Sequence, residues 1–381
     1  MVRIGIIGLG NMGSFHANLF QERKIKNAKL VAVCDIDPKR LVNYANIHTF
    51  TNPKKFIKSG LVDAIIIATP HYAHTTLGIE ALEQGLHVLV EKPVSVHKAD
   101  AERLYKTHKN KKQVFALMFN LRTVPHYQII KKMVEKGELG EIQRTSWFIT
   151  DIFRSEFYYA SGTWRATWKG EGGGVLLNQA PHNLDLFQWI CGMPSKVRAF
   201  CYLGKYHNIE VEDEVTAYLE YPNGATGIFV TSTGELPGTN RFEIAGDKGK
   251  ILYENGKIIF TKNAILRKKY SKSSKDLFGK PKSIEKEIKV KGTGGQHAQI
   301  DQNFVDSISK GIPLMVPARE GIKSLELGNA MLYSSITGET VTLPLNEKKY
   351  ESMLMNLIKK SSFRKKSHKT IAKDMNKSFT K

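Results

Sequence analysis

Residues 2–13 read Val2-Arg3-Ile4-Gly5-Ile6-Ile7-Gly8-Leu9-Gly10-Asn11-Met12-Gly13, and their surroundings decide the fold. Arg3 to Ile7 is strand-like, and Met12 to Glu22 has a helical pattern. Between them sits G-x-G-x-x-G. Gly8 permits the tight turn, Gly10 lets backbone approach a pyrophosphate, and Gly13 lets helix and strand pack closely. The phosphates would lie at the helix N-terminus, where free N–H groups and the dipole favour an anion. Asn11 and Met12 supply two of those N–H groups. The next strand, Lys29 to Cys34, runs into Asp35, 22 residues past Gly13. There a carboxylate can bind both ribose hydroxyls, which marks a dinucleotide site. Asp35 favours NAD over NADP because it repels a 2′-phosphate, while Lys39 and Arg40 lie near enough to weaken that preference.

Outward from this motif, short β-rich runs alternate with helical patterns, the arrangement that builds a parallel sheet. Pro38 to Asn46 reads as a helix, Ala64 to Ala68 as a strand, and His74 to Gln84 as a helix. His87 to Val90, Ser95 to Asn110 and Val114 to Phe119 continue the alternation. The runs Ile65-Ile66-Ile67 and Val88-Leu89-Val90 are continuously apolar, as in strands covered on both faces. At the strand ends, Thr69 and His71 are placed to contact a cofactor, although His71 and His74 also read as ordinary loop and helix-cap residues. Glu91-Lys92-Pro93 follows the strand ending at Val90. A lysine there points into the crevice where such sheets bind ligands, and Glu91 beside it is expected to contact the cofactor; the alternative for Lys92 is a plain surface lysine.

After Leu121 the texture changes. A helix over Val124 to Lys136 precedes longer β segments: Ile142–Asp151, Lys196–Leu203, Val211–Tyr221, Ala225–Thr233, Arg241–Ala245, Lys250–Tyr253 and Lys257–Phe260. Asn223-Gly224 and Asn255-Gly256 are strong hairpin signals. The expectation is a mainly antiparallel open sheet whose uncovered face suits an oligomer contact. Helical patterns at Gln296–Ser309 and Arg319–Thr337 follow, then a helix near Tyr350–Lys360 that frays into a tail. Three regions result: 1–122 for the cofactor, 123–345 for substrate and oligomerisation, and a basic helix and tail over 346–381.

Between 172 and 187 the chain reads GGGVLLNQAPHNLDLF. Read as a helix from Leu177, it sets Asn178, His182 and Asp185 on one face and Leu177, Ala180, Leu184 and Phe187 on the other. An amide, an imidazole and a carboxylate thus gather beside a glycine run, although a lone helical histidine is usually structural. Upstream, Tyr158, Trp164 and Arg165 lie in an aromatic and arginine-rich stretch. Ring faces suit the C–H side of a sugar while Arg and amides bind its hydroxyls; closing a loop over the core is the plainer role.

Composition narrows the class. The 381 residues are 41% hydrophobic and 24% charged, as in globular proteins. No apolar run reaches the ~18–20 residues of a membrane span, and the N-terminal apolar stretch is expected to be a buried strand and turn, not a signal peptide. Cys34, Cys191 and Cys201 show no metal spacing and leave an odd thiol, so the expectation is no metal and a cytoplasmic setting. The net charge of +21 invites a nucleic-acid reading. However, residues 262–291 and 347–381 each hold 11 Lys/Arg against 3 Asp/Glu, sixteen of the excess charges, without interleaved aromatics. A solvated lysine-rich surface is the preferred reading.

Together Gly8-x-Gly10-x-x-Gly13, Asp35, Glu91-Lys92-Pro93 and the glycine run with Asn178 and His182 resemble the Gfo/Idh/MocA oxidoreductases, over residues 1 to about 345. The resemblance implies an N-terminal Rossmann fold (α/β) plus an α+β C-terminal domain with a mainly antiparallel sheet that often forms dimers or tetramers. It also implies NAD(P)-dependent chemistry on sugars and cyclitols. Carried onto this chain, Lys92 would bond the reacting hydroxyl and orient the nicotinamide ribose, with His182 as general base. Many members carry Asp where Asn178 stands, so Asn178 is expected to position a hydroxyl. Asp185 would orient His182 or bond to backbone, and Arg122, where the two regions meet, would bind substrate. Expected substrates are a ring secondary alcohol of a pyranoside (C3 of a glucoside among them) or an inositol. A UDP-aminosugar is the alternative, and a non-catalytic NAD-binding sugar-pathway regulator is a reading of another class.

Overall fold

The computed structural model describes residues 1–363. The expected basic tail lies outside the described residues beyond that point. In chain order the elements are β1 (Val2–Ile7), α1 (Asn11–Gln21), β2 (Ala28–Cys34), β3 (His48–Phe50), α2 (Pro53–Ile57), β4 (Ala64–Ile67), α3 (His71–Glu83), β5 (His87–Val90), α4 (Lys98–Thr107) and β6 (Phe115–Leu117). Then follow α5 (Pro125–Glu135), β7 (Ile142–Ile149), α6 (Glu156–Ala160), α7 (Pro181–Cys191), β8 (Lys196–Leu203), β9 (Glu212–Glu220), β10 (Thr226–Ser232), β11 (Asn240–Gly246), β12 (Gly249–Glu254) and β13 (Lys257–Asn263). The last of the described elements are α8 (Arg267–Ser273), β14 (Ser283–Ile288), α9 (Gln296–Lys310), α10 (Gly321–Thr337), β15 (Val341–Thr342) and α11 (Glu347–Lys360).

The first sheet is parallel, in the order β3-β2-β1-β4-β5-β6. Every residue of β4 and β6 is buried, as the unbroken apolar runs require of strands with helices on both faces. The order reverses between β2 and β4 around β1, which opens a crevice beyond the carboxyl ends of the strands, at the glycine turn. One helical expectation fails: Pro38 to Asn46 forms two short 3-10 turns instead. Only Leu41 and Tyr44 are buried there, three residues apart, and Val42 is exposed. That spacing fits three residues per turn and offers no apolar stripe to hold an α-helix. β3 and α2 are too short to announce themselves by periodicity.

The second sheet has nine strands in the order β14-β13-β12-β11-β7-β10-β9-β8-β15. It is antiparallel except between β7 and β10. Asn255 and Gly256 both take left-handed φ, 50° and 71°, the backbone that a tight hairpin between β12 and β13 demands. The inner face buries Trp147, Phe187, Phe229 and Phe242, with Trp147 stacked on Phe242 at 4.5 Å. The outer face leaves Phe148, Phe200, Tyr202, Tyr218 and Ile228 exposed.

The last helices return to the first half. His16 of α1 bonds Asp301 of α9, and main-chain Lys26 bonds Gln302. Lys98 of α4 bonds Glu326 of α10 at 2.7 Å. The floor of the crevice is therefore built from both ends of the chain.

Candidate active site

The glycine turn meets the demands of a phosphate cradle. At Gly13 a Cβ would stand 1.7 Å from Gly8 O, and at Gly8, with φ +89°, it would stand 2.6 Å from Ala68 O. Both contacts are impossible, so α1 packs on the end of β1, and that end on the turn after β4, as closely as only glycines allow. Gly10 faces the opposite way: the one atom within 4 Å of its missing Cβ is Arg40 Nη1, at 3.5 Å. Gly10 also caps α1 without a side chain, and the first turn, which includes Asn11 and Met12, carries no acidic residue. The positive end of the helix dipole is therefore not neutralised from within. Beside Gly8, the Thr69 hydroxyl is buried with no partner. An open glycine, an uncapped helix end and an orphan hydroxyl fit a dinucleotide.

Asp35 ends β2 as expected. Its carboxylate accepts from Leu9 N at 2.7 Å and Asp37 N at 2.8 Å, with Arg40 Nη1 3.7 Å away. It thus braces the glycine turn as well as offering charge to a ribose.

His71 opens α3, but its Nδ1 lies 3.3 Å from Glu171 O and its ring stands edge-on to Trp164. The structure places it against the substrate-side segment. The ring nitrogens of His74 lie 2.7 Å from Pro93 O and 2.8 Å from Thr69 O, tying two strand-end turns together.

Lys92 leaves the end of β5 through a cis bond to Pro93. Its ammonium donates to the main-chain oxygen of Asn178 at 2.8 Å. Burial pushes its pKa down, opposed by Glu91, Tyr158 and Glu171, while Arg165 lowers it further. The expected cofactor contact by the Glu91 side chain needs correction. That carboxylate is buried beneath the crevice, with one oxygen 3.0 Å from His16 Nε2 and the other accepting from Lys92 N at 3.1 Å.

The reading of residues 177–187 as one helix is also corrected. Residues 175–179 form turns, and α7 begins at Pro181. Proline disfavours helical backbone in the residue before it and suits the first helical position, so α7 starts at Pro181. The core face nonetheless holds: Leu177, Ala180, Leu184 and Phe187 are all buried. Asn178 sits in the turn, where its amide donates to Glu171. His182 lies in the first turn of α7 with its ring edge-on to Phe119, and its Nδ1 is buried without a partner. Burial, then Lys92 and His297, push its pKa well below the usual value, so the imidazole is neutral.

Asp185 does not orient His182. Its two oxygens accept from Arg122 Nε and Nη2, both at 2.7 Å, and it also accepts from Gln188. Arg122, bonded in addition to Glu320 and almost wholly buried, holds two segments together and presents no free guanidinium face to a substrate. A bidentate ion pair at this depth satisfies both partners.

Arg165 stacks over both Tyr158 and Trp164, with centroid distances of 4.7 and 4.6 Å, and donates to Tyr158 OH at 3.1 Å. Gln179 reaches the same hydroxyl at 3.2 Å. This aromatic and guanidinium wall adjoins the lysine electrostatically, because Tyr158 and Arg165 both act on it. Sequence reasoning missed Glu171, a buried carboxyl whose pKa burial raises despite Arg165 and its bonds to Ala166 N and Asn178. Its position directly before the glycine run was the available signal. His16 and Asp301 were missed as well, and nothing local marks them.

Residues 2–119 match a family model described as the NAD-binding Rossmann fold of an oxidoreductase family. Residues 131–343 match the C-terminal α/β domain of the same family. Among curated proteins, the chain is 26% identical over 266 residues to a myo-inositol 2-dehydrogenase of Thermotoga maritima, covering 67% of this chain and 75% of that protein. It is 25% identical over 296 residues to a levoglucosan dehydrogenase of Pseudarthrobacter phenanthrenivorans, covering 66% and 73%. Among solved structures, the WlbA dehydrogenase of Chromobacterium violaceum, in complex with NADH and UDP-GlcNAcA, superposes with a TM-score of 0.76. It is 26% identical, and the match covers 91% of this chain and 96% of that one.

Proposed function

The chain belongs to the Gfo/Idh/MocA oxidoreductase family, and on that premise we propose that it oxidises a ring secondary alcohol of a neutral pyranoside or cyclitol, or reduces the matching ketone, with NAD. One observation carries the reading: a neutral, buried His182 with an unpartnered ring nitrogen feels the charge of Lys92, whose ammonium stands at the crevice. A bound nicotinamide cofactor supplies the hydride acceptor. The protein's own groups handle the proton. His182 accepts it from the hydroxyl, while the Lys92 ammonium donates a hydrogen bond to the same oxygen as negative charge grows there. In the reverse direction the same pair acts as acid and donor. The turn bearing Asn178, together with Tyr158, Trp164 and Arg165, forms the substrate side; Gly8, Gly10, Gly13, Asp35 and Thr69 hold the cofactor.

A UDP-linked aminosugar is the second reading. Arg154 and Arg165 both stack on the Tyr158 ring, which sets two cations beside the wall, and the WlbA neighbour holds such a ligand. Reduction of NAD against glucosides, free sugars, inositols and a UDP-aminosugar separates these readings. Turnover of one class assigns it, and NAD binding without any turnover moves the protein to the regulators.

Asp35 makes NAD the proposed cofactor. Asp35→Ser is expected to raise KM for NAD at least about tenfold, as a charged hydrogen bond is worth ~1.5–3 kcal/mol. The ratio of kcat/KM for NADP over NAD should rise as well, with Arg40 available to a 2′-phosphate. An unchanged ratio removes Asp35 from cofactor choice.

The exposed aromatic face of the second sheet is proposed to meet a second copy of the chain. Ile228→Lys, which sets like charges against each other across a two-fold contact, should shift the protein to monomer in light scattering coupled to size exclusion. A wild-type protein that is already monomeric ends that proposal. Its three unpaired cysteines accord with a cytoplasmic setting.

A further inference from the structure

Below the crevice lies a buried chain of ionisable groups that the proposed chemistry does not use. His16 is completely buried on α1. Its Nδ1 stands 2.7 Å from Asp301 Oδ2 on α9, and its Nε2 stands 3.0 Å from Glu91 Oε1 at the end of β5. The other Glu91 oxygen accepts from the main-chain N–H of Lys92 at 3.1 Å. Phe15 and His297 close the surroundings, with ring centroids 6.4 and 5.9 Å from His16.

Both ring nitrogens face carboxylate oxygens, so the ring is held as a donor on both sides. Burial opposes its charge, yet Asp301 and then Glu91 raise its pKa to about 10. Burial likewise opposes the ionised Glu91, and the bond and charge of His16 bring its pKa down to about 2. By contrast, burial drives the neighbouring His297 down to about 4. His16 is thus the cation of this cluster and His297 a neutral neighbour. Such a pair is expensive to break from one side, because the partner left behind is buried and uncompensated.

The geometry matters because of what each member belongs to. His16 is three residues past Gly13, one turn along the helix whose first turn receives the phosphates. Glu91 is bonded to the backbone of the residue that carries the reacting oxygen's donor. Asp301 comes from a helix 285 residues further along the chain. One imidazole therefore joins the phosphate helix, the lysine turn and the second half.

We propose that His16 is a positioning residue: through Glu91 it fixes the Lys92 turn relative to the phosphate-binding helix, so that the lysine is set where the cofactor requires it. The proposal rests on the role given to Lys92 above. Without the clamp, the Lys92 turn loses its anchor on α1, and the ammonium exchanges its bond to Asn178 for a range of positions.

The test uses the full chain with His16→Gln and, as a second variant that loosens the clamp from the other side, Asp301→Asn. In the cofactor-free protein, acylation of Lys92 by acetic anhydride is followed by mass spectrometry, with exposed Lys58 and Lys109 as references. A freed amine should react about tenfold faster in His16→Gln and about threefold faster in Asp301→Asn, within the range of coupling between neighbouring residues. The references should not change. In turnover, kcat should fall about tenfold or more, with KM for the sugar and affinity for NAD within about threefold. The rate of His16→Gln combined with Lys92→Met should equal that of Lys92→Met alone. A merely structural role would instead lower the melting temperature and multiply the two losses. Lys92 acylation unchanged in both soluble variants overturns the clamp. If the wild type turns over no sugar, the functional reading fails while the acylation result still decides the clamp.

Discussion

His182→Ala is expected to lower kcat by about a thousandfold while leaving NAD affinity within about threefold of wild type. A positioned general base contributes ~10²–10⁴ in rate, and His182 lies on α7 with its ring edge-on to Phe119, apart from the strand–turn–helix of the glycine motif. The pH profile adds a second handle. A base works only when unprotonated, so activity is lost as pH falls through its pKa. Burial, Lys92 and His297 all drive that pKa well below the ordinary value. The acid limb of kcat/KM in the wild type should therefore lie well below the ~6.5 at which an unperturbed histidine would place it. The alanine variant should lose this limb. Retention of more than a tenth of wild-type kcat would remove His182 from the chemistry.

Lys92→Met is the second large effect, again about a thousandfold in kcat. One preorganised donor to a developing oxyanion is worth ~2.7–4 kcal/mol, and a charged donor in a buried site stands at the upper end. Lys92→Arg should restore little, because a planar guanidinium cannot replace a compact ammonium held on Asn178 O. The variant also separates chemistry from folding. Burial disfavours the charged amine here, so exchange for an apolar chain of similar length should leave the melting temperature unchanged or raise it. A variant that melts much lower and loses NAD binding would show that Lys92 is structural.

The sequence carried the parts of the site that are local. Gly8, Gly10, Gly13 and Asp35 are spaced by the covalent logic of one strand, one turn and one helix, so their pattern survives in a linear reading. The unbroken apolar runs of β4 and β5 likewise report two covered faces. Asn178 and His182 were found together although the helix starts later than periodicity suggested, since a first-turn proline reads equally well as tolerated or as initiating. What failed had partners far away. Arg122 looked like a ligand until Asp185, 63 residues on, took its guanidinium. Asp185 looked like the orienter of His182 for the same missing reason. Glu171 lay in plain view, but its burial is set by the fold. His16 was invisible because a histidine inside an amphipathic helix has no signature when its acceptors come from residues 91 and 301.

That separation between His16 and Asp301 has a consequence for how the protein is made. Ribosomes add ~5–20 residues per second, so 285 residues correspond to tens of seconds during which the parallel sheet is out and its histidine has no partner from α9. The nascent N-terminal half can assemble its cradle in that interval, yet the foundation of its lysine is unfinished. On the proposed clamp, a chain halted before α9 is expected to lack the foundation of its lysine until its last third folds back onto its first helix.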